Sequence, residues 1–219
     1  MFAVIEGIDG SGKTTILEAL KGDPFFASWE FLREPTGGPF GKKIREIISQ
    51  SDRDYSRQTR NELTNLFIQD RIWNNESNIM PLIKEKKNIL SDRYYISTAT
   101  YQGMDRKEVL KILVEQMENP LILNPDFIFF LNIDVATSLD RIRKRNTQKE
   151  IFEKKDSLLR IFNNYLIIEN YFSTSDDFQI LDMPQWINID ARNPVNVIME
   201  EIAKNLRKKN DRKSPGMRS

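Results

Sequence analysis

The chain has 219 residues, enough for one α/β domain to bury a sizeable core without covalent staples. It contains no Cys and no His, which excludes disulfides, thiolate or imidazole metal sites, a Cys nucleophile and an imidazole base; carboxylates, Lys, Arg, hydroxyls and bound metal must carry any chemistry. Lys and Arg total 33 against 32 Asp and Glu, a net charge of +1 that offers no overall field for nucleic acid or a membrane, so the expected partners are small molecules.

The first apolar run, Phe2-Ala3-Val4-Ile5, reads as a buried strand, and Ile16-Leu17-Glu18-Ala19-Leu20 reads as a helix. Between them, Gly7-Ile8-Asp9-Gly10-Ser11-Gly12-Lys13-Thr14 satisfies the phosphate-loop pattern G-x-x-x-x-G-K-[ST] in full. Glycines at these positions let the backbone turn its N–H groups onto phosphate oxygens, and the helix that follows presents its positive end to the same anion. Lys13 is placed as a point charge for the β and γ phosphates, and the Thr14 hydroxyl as a ligand for Mg2+. With Thr15 added, the expected ATP-binding set is Gly7, Ile8, Asp9, Gly10, Ser11, Gly12, Lys13, Thr14 and Thr15. No apolar run approaches the roughly 18 residues of a membrane span, and the first strand starts too early for a signal peptide, so a cytoplasmic protein is expected.

Further along, Gly22-Asp23-Pro24 is turn chemistry and Trp29-Glu30-Phe31-Leu32 reads as a second strand. It runs into Arg33-Glu34-Pro35-Thr36-Gly37-Gly38-Pro39, a shaped loop at a strand's C-terminal end, where open α/β sheets place ligands. Pro39 opens a helix with Phe40, Ile44, Ile47 and Ile48 on one face, and residues 51 to 60 read as a loop or a helix start. A long helix is expected from Asn61 to Asn75, and within it Phe67 and Arg71, four apart, share one surface. Asn88-Ile89-Leu90-Ser91 is a third strand tipped by Asp92, a candidate to hold Mg2+ directly or through water.

Phe127 to Ile133 is apolar on both faces, as a central parallel strand should be. The next helix ends in Arg141, Arg143, Lys144 and Arg145, which either complement the helix dipole or belong to a lid that closes Arg onto phosphates. Residues 152 to 172 form another amphipathic helix, Trp186 to Ile189 a last strand, and Asn193-Pro194 opens a final helix. The expected fold is α/β, a five-stranded parallel sheet of P-loop NTPase type with helices on both faces and a short lid. A single domain is expected over residues 1–207, with the lid at about 143–153 and a polar, disordered tail over 208–219.

Several blocks in order carry a more specific signal: Ile5-Glu6-Gly7 through Thr15, Arg33-Glu34-Pro35, Leu66-Phe67-Ile68-Gln69-Asp70-Arg71, Ser91-Asp92-Arg93-Tyr94, Ala99-Thr100-Tyr101-Gln102-Gly103, and Asn132-Ile133-Asp134 before the Arg141 to Arg145 cluster. Together they resemble the thymidylate kinase family over nearly the whole chain. The resemblance implies that Asp9 touches the deoxyribose 3'-hydroxyl and phosphate region, Phe67 stacks on thymine, and Arg71 bonds a base carbonyl. It implies that Arg93 grips the acceptor phosphate, Tyr101 excludes a ribose 2'-hydroxyl, Thr98 and Gln102 line the base pocket, and Arg33 approaches the phosphate from a loop that often holds a cis proline. Gly10 stands where some relatives place an Arg, which shifts the catalytic Arg to the lid and makes Arg143 and Arg145 its candidates beside Lys13, Arg93 and Asp9.

The implied reaction is ATP-dependent phosphorylation of dTMP to dTDP with Mg2+, in a homodimer. The alternatives are a kinase for another pyrimidine monophosphate such as dUMP, and an ATP-binding switch.

Overall fold

The computed structural model describes residues 1–50, 55–145, 151–174 and 183–212. Five strands, β1 (Phe2–Glu6), β2 (Trp29–Arg33), β3 (Asn88–Asp92), β4 (Phe127–Asn132) and β5 (Gln185–Asp190), form one parallel sheet in the order β2-β3-β1-β4-β5. Every residue of β1 is buried, and so are the first five of β4, which requires that both faces of the sheet be covered. The strand edges match in register at the ligand-binding end, with Arg33 opposite Asp92 and Ile5 opposite the same Asp92.

The covering helices in chain order are α1 (Lys13–Lys21), α2 (Pro39–Ser49), α3 (Arg57–Asn74), α4 (Met80–Lys84), α5 (Tyr95–Gln102), α6 (Arg106–Met117), α7 (Val135–Arg145), α8 (Ile151–Thr174) and α9 (Val195–Arg212). A π-helical turn, Asn75–Ile79, joins α3 to α4, and a 3-10 turn, Pro24–Phe26, precedes β2 with Asp23 accepting from Phe25 N at 2.8 Å. Helix α1 packs on α9, while α3, α5, α6 and α8 pack on one another. One continuous apolar core runs through the sheet, and a satellite cluster of Ile44, Leu63 and Leu66 joins α2 to α3 with Phe67 at its margin.

The sequence pattern located all five strands to within two residues at each end, because uninterrupted β-favouring apolar runs bounded by turn residues leave little freedom. Two boundaries differ. Helix α3 starts at Arg57, not Asn61, because the Ser56 side chain accepts from Thr59 N at 3.1 Å and caps it early. Helix α9 runs on to Arg212, past the expected tail boundary at Lys208, where Lys208, Lys209 and Arg212 are favourable for a helix C-terminus. Residues 51–54, 146–150 and 213–219, which include part of the expected loop, lid and tail, lie outside the described residues.

The chain winds outward from β1 in both directions, to β3 on one side and β4 on the other. That reversal opens a crevice at the C-terminal end of β1, and the glycine-rich loop fills it.

Candidate active site

The loop's geometry follows from its glycines. Gly12 (φ 98°) and Gly10 (φ 80°) occupy the left-handed region, where a side chain is strained, and a Cβ on Gly10 would stand 2.6 Å from Ser138 O of α7. An Arg at position 10 therefore has no room in this chain. The Ser138 hydroxyl donates to Asp9 O, tying the loop to α7.

Lys13 opens α1 and folds back across the loop, its Nζ donating to Gly7 O and Ile8 O at 2.9 Å and to Ser11 Oγ at 3.3 Å. Burial pushes its ammonium down to about 7, with the Arg93 charge adding to the effect and Asp9, Asp92 and Glu6 opposing it. Thr14 and Thr15 are exposed on the first turn of α1, and Asp92 is buried at the tip of β3. Asp92 Oδ1 has no hydrogen-bond partner, and Oδ2 faces Arg33 Nε at 3.7 Å. A buried carboxylate oxygen without a donor, close to a hydroxyl-bearing phosphate loop, suits a hydrated cation; among the described residues no cluster of three acidic ligands forms a self-sufficient metal cage.

Arg93 joins the loop to the second half of the site. Its Nη2 donates to Asp9 Oδ1 at 2.6 Å and to Tyr101 Oη at 3.0 Å, its Nη1 to Ser97 Oγ at 2.9 Å and Gly7 O at 3.3 Å, and its guanidinium lies 4.9 Å from the centre of the Tyr101 ring. Tyr101 Oη donates to Asp9 Oδ1 at 3.0 Å, and burial pushes that hydroxyl up, keeping it a neutral donor. Burial opposes the charge on Arg93, but Tyr101, Asp9, Tyr165 and Glu6 more than offset it. Arg93 is also one of two non-glycine residues at positive φ (70°) among the described residues, held there by its N–H donating to Ile5 O at 3.0 Å. Strain of this kind is retained where a side chain must be aimed.

Helices α3 and α5 supply the other expected residues. Thr98 and Gln102 are buried on α5, Tyr101 is half-buried there, and Phe67 is half-buried on α3, one turn from Arg71. Gln102 Oε1 and Arg71 Nε are buried without partners, so one acceptor and one donor stay open in this region. The rest of the Arg71 fork is occupied, with Nη2 on Glu34 Oε2 at 2.5 Å and on Thr98 Oγ1 at 3.2 Å, and Nη1 on Gln116. Arg71 is 1% exposed and stacks 4.9 Å from the Tyr94 ring.

The Arg33 to Gly38 loop is held from α3. Asp70 accepts from Thr36 N at 2.7 Å and Thr36 Oγ1 at 2.6 Å, and Asn74 Nδ2 donates to Glu34 Oε1 at 3.0 Å. The Glu34-Pro35 peptide is cis, and Arg33 projects into solvent from the end of β2 beside Asp92. Burial pushes the Glu34 carboxyl up, and Arg71 and Asn74 pull it back. Removing one partner of so buried a pair leaves an uncompensated charge: Glu34→Gln is expected to lose about 3 kcal/mol of stability, measured by urea unfolding, with activity falling because Arg71 and the loop shift together.

Of the expected residues, the structure gathers Lys13, Asp9, Arg93, Tyr101 and Thr14 around the loop, and Phe67, Arg71, Thr98 and Gln102 along α3 and α5. It does not bring Arg143 to them by any described contact; Arg143 is exposed on α7, and the side chain of Arg145 lies outside the described residues. Of the arginines on α7, the one with a described contact to the loop is Arg141, donating to Ser11 O at 3.4 Å and to Ala191 O at 2.9 Å. Sequence reasoning also passed over Glu6, Ser97, Tyr165, Glu34, Asp70 and Gln116 as site residues. Three of them carry local signals: Glu6 is a charged letter closing an otherwise apolar strand, and Glu34 and Asp70 stand inside the ordered blocks.

A central parallel strand, a phosphate loop at the topological switch point and a basic fork facing it define a P-loop nucleotide-binding protein. Residues 5–202 match the thymidylate kinase family, and the chain belongs to it. It is 39% identical over 180 residues to the "Probable thymidylate kinase" of Methanocaldococcus jannaschii, covering 78% of this chain and 83% of that protein. It is 33% identical over 206 residues to the thymidylate kinase of Desulfotalea psychrophila, covering 91% and 90%, and 34% identical over 171 residues to that of Leptospira borgpetersenii, covering 75% and 79%.

Proposed function

We propose that the chain transfers the γ-phosphoryl group of ATP to dTMP, giving dTDP and ADP. The observation that carries this reading is the Arg93 fork, which contacts Asp9 of the phosphate loop and Tyr101 of α5 with the same nitrogen and so sets donor and acceptor sites side by side. The acceptor oxygen belongs to a phosphate already largely ionised near neutral pH, so no strong general base is required. Catalysis is alignment of two polyanions and neutralisation of shifting charge, supplied by Lys13, Arg93 and a lid arginine for which Arg143 and Arg145 are the candidates.

On the acceptor side, Phe67 offers an aromatic face, the Gln102 Oε1 acceptor suits the N3–H of thymine, and Arg71 Nε–H suits a ring carbonyl. Cytosine presents the reverse donor pattern on that edge and is rejected. Asp9 holds the sugar hydroxyl, Tyr101 closes the space a 2'-hydroxyl would need, and Arg33 approaches the phosphate. Mg2+ belongs at Thr14 and Asp92, where it would supply charge neutralisation on the β and γ phosphates. A single domain whose last helix runs to Arg212, with a lid at about 143–153, a homodimer, and a cytoplasmic location without nucleic-acid or membrane partners complete the proposal. The net charge of +1 supports small-molecule partners, and among the described residues no helix is long and apolar enough to cross a membrane.

An ADP-release assay across nucleoside monophosphates tests the reading: turnover is expected with dTMP, weaker with dUMP, which lacks the 5-methyl group, and near background with dCMP. Equal rates for all acceptors, or ADP release that ignores the acceptor, would overturn it.

Lys13 adds a pH dependence. With its ammonium at about 7 in the free protein, polyphosphate binding raises it and a proton is taken up. The bound state then carries more protons, so ATP affinity is expected to fall as pH rises above about 7 and to level off below it. Calorimetry in buffers of different ionisation heat should show this uptake in the wild type and not in Lys13→Arg, whose guanidinium stays charged throughout.

A further inference from the structure

Glu6 closes β1 one residue before the phosphate loop, fully buried, and among the described residues its carboxylate forms no ion pair within salt-bridge distance. Both oxygens are saturated by donors from two other elements. Oε1 accepts from Tyr94 N at 2.8 Å and Ser97 N at 3.2 Å, the N-terminal amides of α5, a helix with no capping side chain of its own. Oε2 accepts from Ser97 Oγ at 2.6 Å and from Tyr165 Oη of α8 at 2.8 Å. Ser97 Oγ in turn accepts from Arg93 Nη1 at 2.9 Å.

A buried carboxylate is costly unless its lone pairs are filled, and four donors fill these. Its hydrogen bond from Ser97 fixes the direction of the hydroxyl proton, so the serine lone pair is turned toward Arg93. The chain Glu6–Ser97–Arg93 thus aims one guanidinium nitrogen, leaving Nη2 for Asp9 and Tyr101.

We infer that Glu6 and Ser97 are positioning residues that orient the Arg93 fork toward the acceptor phosphate, with Glu6 also capping from β1 the helix that carries Thr98, Tyr101 and Gln102. The inference rests on the proposed function. Both act through Arg93, so losing the Ser97 hydroxyl, or losing the Glu6 Oε2 acceptor while Oε1 still caps the helix, should be felt by the phosphate and not by the nucleoside.

Calorimetric affinities for dTMP and for thymidine, which lacks the phosphate, separate these. Ser97→Ala is expected to weaken dTMP about tenfold, the scale of a lost hydrogen bond to a charged group, while thymidine affinity stays within twofold of wild type. Glu6→Gln, equal in size but uncharged, should show the same selectivity, giving a second route if either variant folds poorly. In an Arg93→Gly background, Ser97→Ala should cost dTMP less than about twofold further, since the group it serves is gone. Unchanged dTMP affinity in both single variants, equal loss of thymidine, or full additivity with Arg93→Gly would overturn the inference. Wild-type protein that bound neither ligand would instead overturn the proposed function, and the inference with it.

Discussion

Replacing Lys13 by Ala is expected to lower kcat about 10³-fold or more while the fold persists, a loss of about 4 kcal/mol in transition-state stabilisation. Lys13 is the cation nearest the loop carbonyls, and no other lysine has a described contact with that loop. Its burial is unfavourable for the free protein, as the depressed ammonium shows, so its removal relieves desolvation. The melting temperature of Lys13→Ala should therefore equal or exceed that of the wild type, the trade of stability for activity expected of a functional group. Steady-state ADP release together with calorimetric melting checks both halves. Turnover within tenfold of wild type would remove Lys13 from the mechanism.

Loss of the Arg93 side chain is expected to be nearly as severe, about 10³-fold in kcat/KM for dTMP, with the KM for ATP little changed because the phosphate loop keeps its own donors. The backbone separates two variants that would otherwise look alike. Arg93 sits at φ 70°, so Arg93→Gly relaxes a strained position and Arg93→Ala does not. Both should lose activity equally, and Arg93→Gly should melt higher, by an amount corresponding to about 1 kcal/mol. Activity kept by Arg93→Ala and lost by the relaxed Arg93→Gly would mean that the strained backbone, not the guanidinium, is what the site requires.

What the sequence made legible was local. The phosphate loop needs glycines, a lysine and a hydroxyl in fixed order, so eight letters specify it, and the i, i+4 spacing of Phe67 and Arg71 placed both on one helical surface. Helices α5 and α6 went unread for different reasons. Six of the eight residues of α5, Tyr95, Ile96, Thr98, Ala99, Thr100 and Gln102, are buried, so no polar stripe marks a period. Helix α6 does carry signals: Asp105 accepts from Glu108 N at 2.9 Å, Glu108 reaches back to Met104 N at 3.1 Å, and Val109, Leu113 and Met117 recur every four residues.

The network behind Arg93 could not be read at all. Glu6 meets Ser97 across 91 positions of sequence and Tyr165 across 159, and only the folded sheet brings them together. The same holds for Arg141, one of several basic residues at the end of α7, whose contact with Ser11 O singles it out only in three dimensions.

A crystal structure of the protein with dTMP and ADP would examine most directly whether a triphosphate cradle and a thymine pocket adjoin as described. The expected result is a pyrimidine ring against Phe67 with its edge at Gln102 and Arg71, the monophosphate on the Arg93 fork, and the diphosphate in the Gly7 to Thr14 loop. A thymine ring bound elsewhere, with Phe67 and Arg71 untouched, would contradict it.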